Sequence, residues 1–263
     1  MAEPMRGLSV TGLCLRAGTK SLVRDVSFTV APGQVLGLVG TSGSGKSLTV
    51  MSLLGLLPAD VQQTGGEVRL DGRRLDPANL SAIRGRALGF VQQAPRGGFN
   101  PLVTIGRHFR ETLACDGVRG AAAEARMLSL LAEVGFAAPE RLPDLYPSQL
   151  SGGMLQRAML ALALSREPDF LLADEPTTDL DLVVQQQILD LLERLVARRR
   201  LGLLLVTHDL SVIARLADHV AVMDGGSIVE EQPVAGLFAE PRHSRTQALL
   251  RAHFALYGEA QLP

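Results

Sequence analysis

Cysteine is nearly missing from this 263-residue chain: Cys14 and Cys115 are the only two, and they lie in unrelated surroundings. Two thiols exclude a disulfide framework and any zinc or iron–sulfur ligand spacing, and they point to a reducing cytoplasm. No run of eighteen apolar residues occurs. The nearest stretches, 159–164 and 201–206, have the length of a strand or short helix, so no membrane span is expected. The N-terminus carries Glu3 and Pro4 and has no apolar segment of the secretory kind, so no signal peptide is expected. Excess charge is missing too. Twenty-six basic residues against 27 acidic ones leave a net charge of −1, which argues against nucleic acid as a partner. His108, His219, His243 and His253 show no metal-ligand spacing and read as surface or core residues. Lysine is the most informative scarcity, because all but two of the basic residues are arginine and only Lys20 and Lys46 remain. A chain so committed to Arg keeps a Lys where a compact ammonium on a flexible stem is needed. Lys20 reads as a solvated loop residue, whereas Lys46 does not.

What is present is ordinary globular composition, 46% apolar and 20% charged, with length enough for a substantial core. Apolar alternation at 8–15 and 23–30 predicts two strands of an antiparallel layer, and 35–39 is a continuous apolar run of buried-strand type. A glycine-rich loop leads into a predicted helix over 46–57, stopped by Pro58. Strands are expected at 66–70, before an Asp71-Gly72 turn, and at 87–91. From 95 to about 166 the pattern turns helical, with amphipathic helices at 121–134 and 154–164. Strand runs resume at 170–173 and 203–206 around a helix over 183–198, and 219–223 and 227–230 flank the hairpin signal Asp224-Gly225-Gly226. Strand–helix alternation in the first and last thirds predicts an α/β layer with a mainly parallel sheet. The expected organisation is an α/β core over 1–94 and 167–236, a helical subdomain over 95–166, and a tail over 237–263.

Three motifs carry chemistry. Gly40-Thr41-Ser42-Gly43-Ser44-Gly45-Lys46-Ser47 fits G-x-x-x-x-G-K-[ST] between a strand and a helix, the context in which backbone N–H groups curl around a phosphate. In such a loop Lys46 reaches the β- and γ-phosphates and the Ser47 hydroxyl ligates Mg²⁺, so ATP and Mg²⁺ are the expected ligands. Downstream, the apolar run 170–173 ends in Asp174 and Glu175. Asp174 is placed to hold Mg²⁺ through water, and Glu175 to polarise an attacking water. Pro176-Thr177-Thr178-Asp179-Leu180-Asp181 has the residues of a helix N-cap region. Leu150-Ser151-Gly152-Gly153-Met154 makes a second anion cradle at a helix start. One lysine-bearing loop and two cradles in one chain predict a head-to-tail dimer, with the Ser151 loop of each molecule closing on the other's nucleotide.

These motifs together resemble the ATP-binding-cassette (ABC) ATPases over nearly the whole chain. The resemblance implies a P-loop NTPase (RecA-like) α/β core with an antiparallel β layer and an inserted α-helical subdomain. Walker A then falls on 40–47, the signature on 150–154, Walker B on 170–175 and the D-loop on 178–181, with Asp181 among the implied nucleotide-binding residues. His208, in Thr207-His208-Asp209 after the apolar strand, becomes the switch histidine near the γ-phosphate. The Q-loop glutamine falls on Gln93, with Gln92 as the alternative, and is implied to contact Mg²⁺ and the attacking water. Three departures stand out. The signature ends in Met154 rather than Gln, no acidic residue follows the Q-loop glutamine, and Ala17 occupies the place of an adenine-stacking aromatic. Losing that stack is worth about 1 kcal/mol, so ATP is expected to bind through its phosphates.

Within the family the chain is similar to the peptide/nickel importer group, through Phe99-Asn100-Pro101, Thr177-Thr-Asp-Leu-Asp181 and the tail from Leu237 through Pro241 and His243 to Thr246. Its nickel-importing branch is similar also through Ser47-Leu-Thr49, Leu56-Leu-Pro58, Met154-Leu-Gln-Arg157 and the block Ala252-His253-Phe-Ala-Leu-Tyr257-Gly258. The resemblance implies nickel uptake energised at the cytoplasmic face of the inner membrane. The implied partners are two transmembrane permease subunits, a second and paralogous ATPase subunit forming a heterodimer, and an extracytoplasmic substrate-binding protein. Peptide or metallophore import is the alternative cargo, and a non-transport role such as iron–sulfur assembly the alternative class.

Overall fold

Two kinds of strand sequence build this protein: alternating ones that bury a single face, and uninterrupted apolar ones that bury both. The computed structural model describes residues 6–76 and 80–257; Glu3, Pro4 and Gly258 lie outside the described residues. Two compact units emerge, one from the described residues up to Arg84 together with those from Val196 onward, the other from Gly85–Leu195.

In the first unit, β1 (Leu8–Ala17) and β2 (Lys20–Val30) pair antiparallel, with Leu8 opposite Val30 and Ala17 opposite Lys20. Lys20 is exposed, but it opens β2 rather than lying in a loop, because the turn needs only Gly18 and Thr19. The next strand, β3 (Val35–Gly40), is buried throughout. It leads to α1 (Lys46–Leu53), which ends four residues short of Leu57, the end expected ahead of Pro58. Gly55 lies in the left-handed region at φ 63°, and its N–H reaches Ser52 O at 3.1 Å while Leu56 N–H reaches Met51 O at 2.9 Å. That is a Schellman motif, and glycine supplies the conformation it needs. β4 (Val61–Leu70) pairs antiparallel with β1 and, across Asp71-Gly72, with the two-residue β5 (Arg73–Arg74). A short α2 (Leu80–Ile83) closes this half of the unit.

The second unit starts with β6 (Leu88–Val91). Three helices follow, α3 (Ile105–Ala114), α4 (Gly120–Glu133) and α5 (Gly152–Ala163), burying Phe109, Met127, Leu131 and Leu160. These lie in the stretch expected to be helical, although α3 was not resolved from its pattern. β7 (Phe170–Asp174) pairs parallel with β6, and the unit shares with its neighbour the long α6 (Leu182–Arg199).

Returning to the first unit, β8 (Gly202–Val206) and β9 (His219–Asp224) flank β3 on either side, both parallel to it. Between them sits α7 (Leu210–Leu216), and Asp218 accepts the Val35 N–H at 2.8 Å, pinning the start of β3. β10 (Ser227–Pro233) returns antiparallel to β9 through Gly225 and Gly226, as the hairpin signal predicts. The tail forms α8 (Val234–Ala239) and α9 (Ser244–Tyr257).

Glu230 fastens the tail. Its carboxylate accepts the backbone N–H groups of Arg242 at 2.8 Å and His243 at 2.9 Å, just ahead of α9, where a negative charge also suits the helix dipole. Burial pushes this carboxyl upward. The nearby Thr246 hydroxyl, which makes no hydrogen bond of good geometry, the two backbone donors and the His243 charge outweigh that, so its pKa lies below the usual glutamate value. A depressed folded pKa gives a contribution that is complete above the ordinary glutamate range and lost as pH falls through the folded value. Protection factors of the α9 amides, taken against the intrinsic exchange rate at each pH, are therefore expected to be high at neutral pH and to fall in acid, and Glu230→Gln is expected to flatten that dependence.

Candidate functional site

The glycine-rich loop is built by what surrounds it. β3 delivers Gly40 against β9, where an added Cβ would lie 2.2 Å from the Met223 carbonyl and 2.8 Å from Ser44 Oγ. Gly45, at φ 105°, turns the chain into α1 through a conformation that a side chain would strain. Lys46 is 6% exposed, and its Nζ donates to the carbonyls of Gly40 at 2.8 Å and Thr41 at 3.0 Å. The ammonium thus curls over the loop that carries it. Ser44 Oγ is buried with no hydrogen-bond partner, while Thr41, Ser42, Gly43 and Ser47 face outward. The β9–β10 turn braces the loop: Gly226 N–H donates to Ser44 O at 3.1 Å, and Gly226 O accepts from Arg24 N–H at 2.7 Å. A buried cation, an orphaned hydroxyl and the start of a helix, where backbone N–H groups lack intrahelical partners, fit an anion.

His208 follows β8, whose parallel pairing with β3 brings both strand ends to one edge of the first unit. The imidazole is exposed, between buried Thr207 and Asp209, which caps α7 by accepting Ser211 N–H at 2.8 Å.

In the second unit the parallel register of β6 and β7 sets Val91 beside Ala173, so the residues that follow each strand leave the same edge. Gln93 Nε2 donates to Glu175 Oε2 at 3.2 Å. Gln92 instead turns into its own loop, donating to Ala94 O at 3.0 Å. Of the two glutamines, Gln93 is the one brought to the acidic strand end. Asp174 is 6% exposed, and Glu175 is half-buried at φ 48°. A non-glycine residue held there costs roughly 1–2 kcal/mol, so the surrounding contacts must impose it. One of these contacts was not anticipated as such: Thr178 Oγ1 donates to the same Glu175 Oε2 at 2.8 Å. A hydroxyl three residues beyond the acid was the available signal.

Ser151 caps α5, its Oγ accepting Met154 N–H at 3.3 Å, and is exposed. Gly153 has no room for a side chain, since its Cβ would lie 2.4 Å from Val184 Cγ1. Gly152 lies near Leu180, so the α5 start packs on the segment leading into α6. Asp181 caps α6 by accepting Val184 N–H at 2.9 Å, as the capping pattern predicts. Phe99 and Asn100 meet His108, whose ring stands edge-on to Phe99 at 5.1 Å, so this histidine supports the loop. Among the described residues no three His, Cys, Asp or Glu side chains cluster as a metal site. No described helix is long and apolar enough to cross a membrane. Ala17 ends β1, part-exposed.

Residues 23–178 match the family model described as ABC transporter, and the chain belongs to that family. It is 50% identical over 255 residues to the nickel import ATP-binding protein NikD of Rhodospirillum rubrum, covering 96% of this chain and 97% of that one. The protein of the same name from Pseudomonas putida is 49% identical over 249 residues, covering 95% of this chain and 96% of that one. Among solved structures, the dimeric post-hydrolysis state of the ATP-binding cassette MJ0796 bound to ADP and Pi superposes with a TM-score of 0.74 at 27% identity, covering 86% of this chain and 98% of that chain. The fold is accordingly that of an ABC ATPase, with its P-loop core, antiparallel layer and helical subdomain.

Gly40→Ala drives a methyl into the Met223 carbonyl. Affinity for a fluorescent ATP analogue is expected to fall about tenfold or more, equivalent to about 1.4 kcal/mol, with the circular dichroism spectrum preserved.

Proposed function

We propose that this chain is the ATP-hydrolysing subunit of an importer that takes up nickel ions through a separate membrane permease. One observation carries the reading: 45–50% identity to nickel import ATP-binding proteins from three organisms over 95–97% of the chain. The intact chemistry of both units supports it. Residues 40–47, with Lys46 at their centre, bind the phosphates. Glu175 polarises the attacking water, Gln93 orients it, and His208 senses the γ-phosphate. The hydroxyl, amide and carboxylate of Ser47, Gln93 and Asp174 are hard oxygen donors of the kind Mg²⁺ takes, and they are the residues that would hold it. Bound there, the ion would neutralise phosphate charge. Ser151, Gly152, Gly153 and Asp181 act on the nucleotide of a second cassette, a paralogue, in a head-to-tail dimer. Closure is passed to two permease subunits, fed from outside by a substrate-binding protein, and this seats the chain at the cytoplasmic face of the inner membrane.

Glu175→Gln is expected to lower turnover by about a hundredfold or more and to leave an ATP-bound dimer stable to gel filtration. Cells lacking the chain are expected to lose accumulation of radiolabelled nickel while keeping cobalt, zinc and dipeptide uptake. Unchanged nickel with lost peptide uptake would reassign the cargo.

A further inference from the structure

The D-loop threonine does more than lead into α6. We infer that Thr178 is a positioning residue for Glu175, its hydroxyl holding the carboxylate in the orientation from which it acts on water; this rests on the catalytic reading of Glu175 above. Two donors from different parts of the second unit converge on one oxygen, Oε2: Gln93 Nε2 from beyond β6 at 3.2 Å and Thr178 Oγ1 at 2.8 Å. The shorter bond comes from a segment folded back on itself. Thr178 N–H also reaches Glu175 O at 3.2 Å, and Glu175 and Asp179 both sit at positive φ, 48° and 65°.

The hydroxyl is therefore presented by a tight turn whose first residue is the acid itself. A hydroxyl donating to a carboxylate is among the stronger hydrogen bonds of a protein, and here it arrests rotation of the carboxylate plane. With Oε2 so held, the direction in which Oε1 faces is set. A base misdirected by even an ångström loses much of its effect. Gln93 alone does not replace this restraint, because its donor is longer and sits at the end of a flexible side chain. Since Thr178 is half-buried, removing its hydroxyl while keeping its shape leaves the turn filled.

A double-mutant cycle on ATP turnover by the full-length chain in the assembled transporter tests this. Thr178→Val is expected to lower kcat about tenfold with KM for ATP changed less than about twofold, and Thr178→Ser to restore kcat. In the Glu175→Gln background, Thr178→Val is expected to remove nothing further, because the group it positions is already gone. Thr178→Ala provides the same deletion if the valine variant is unstable. Unchanged kcat in these variants, failure of serine to rescue, or an equal further loss on top of Glu175→Gln would each overturn the role of Thr178. Near-normal turnover in Glu175→Gln by itself would overturn the reading of Glu175 and this inference with it.

Discussion

An ammonium withdrawn from water needs oxygen around it, and much of the first unit is arranged about that need at Lys46. The side chain is 6% exposed and leans on the carbonyls of Gly40 and Thr41. Those carbonyls face inward because Gly40 abuts the Met223 carbonyl with no Cβ between, and because Gly226 ties Ser44 to β2. The all-buried β3, clamped between β8 and β9, holds the loop at a fixed height. In the proposed function, a phosphate arriving there would exchange these carbonyl contacts for charge pairing. The same loop without its lysine would be only a turn.

The second unit works on the opposite sign. Its parallel strand pair ends in two carboxylates, and the register of Leu88 with Phe170 brings an amide from one strand end to the acid of the other. Carboxylates crowded at a sheet edge repel one another unless donors intervene, and Gln93 and Thr178 are such donors. The left-handed backbone at Glu175 runs against the extended conformation that Pro176 favours in the residue before it, and the bond from Thr178 helps to hold it.

Much of this was legible in the residues. The buried strands announce themselves as uninterrupted apolar runs, and the phosphate loop by its glycine spacing. Asp181 and Ser151 were readable as caps because short polar side chains at helix starts have one dominant use. Other features were hidden for physical reasons. The helix α1 ends at Leu53 rather than at Leu57 because a left-handed glycine at 55 stops a helix as firmly as a proline does. The helix α3 keeps only Ile105, Phe109 and Leu113 as a sparse apolar stripe, below what a loose pattern search registers. Choosing between Gln92 and Gln93 needed side-chain direction, which adjacent identical residues cannot supply. Thr178 donating to Glu175 depends on a backbone reversal that no residue type in 175–178 demands.

The absent side chain at 153 has a lasting effect on its neighbour at 184. Where one Cβ would come within 2.4 Å of Val184, the two positions share a single allotment of space. A methyl added at 153 would require the Val184 side chain to move or to lose bulk. The cradle at the start of α5 and the approach to α6 are thus fitted to one another, as one component cast in two pieces.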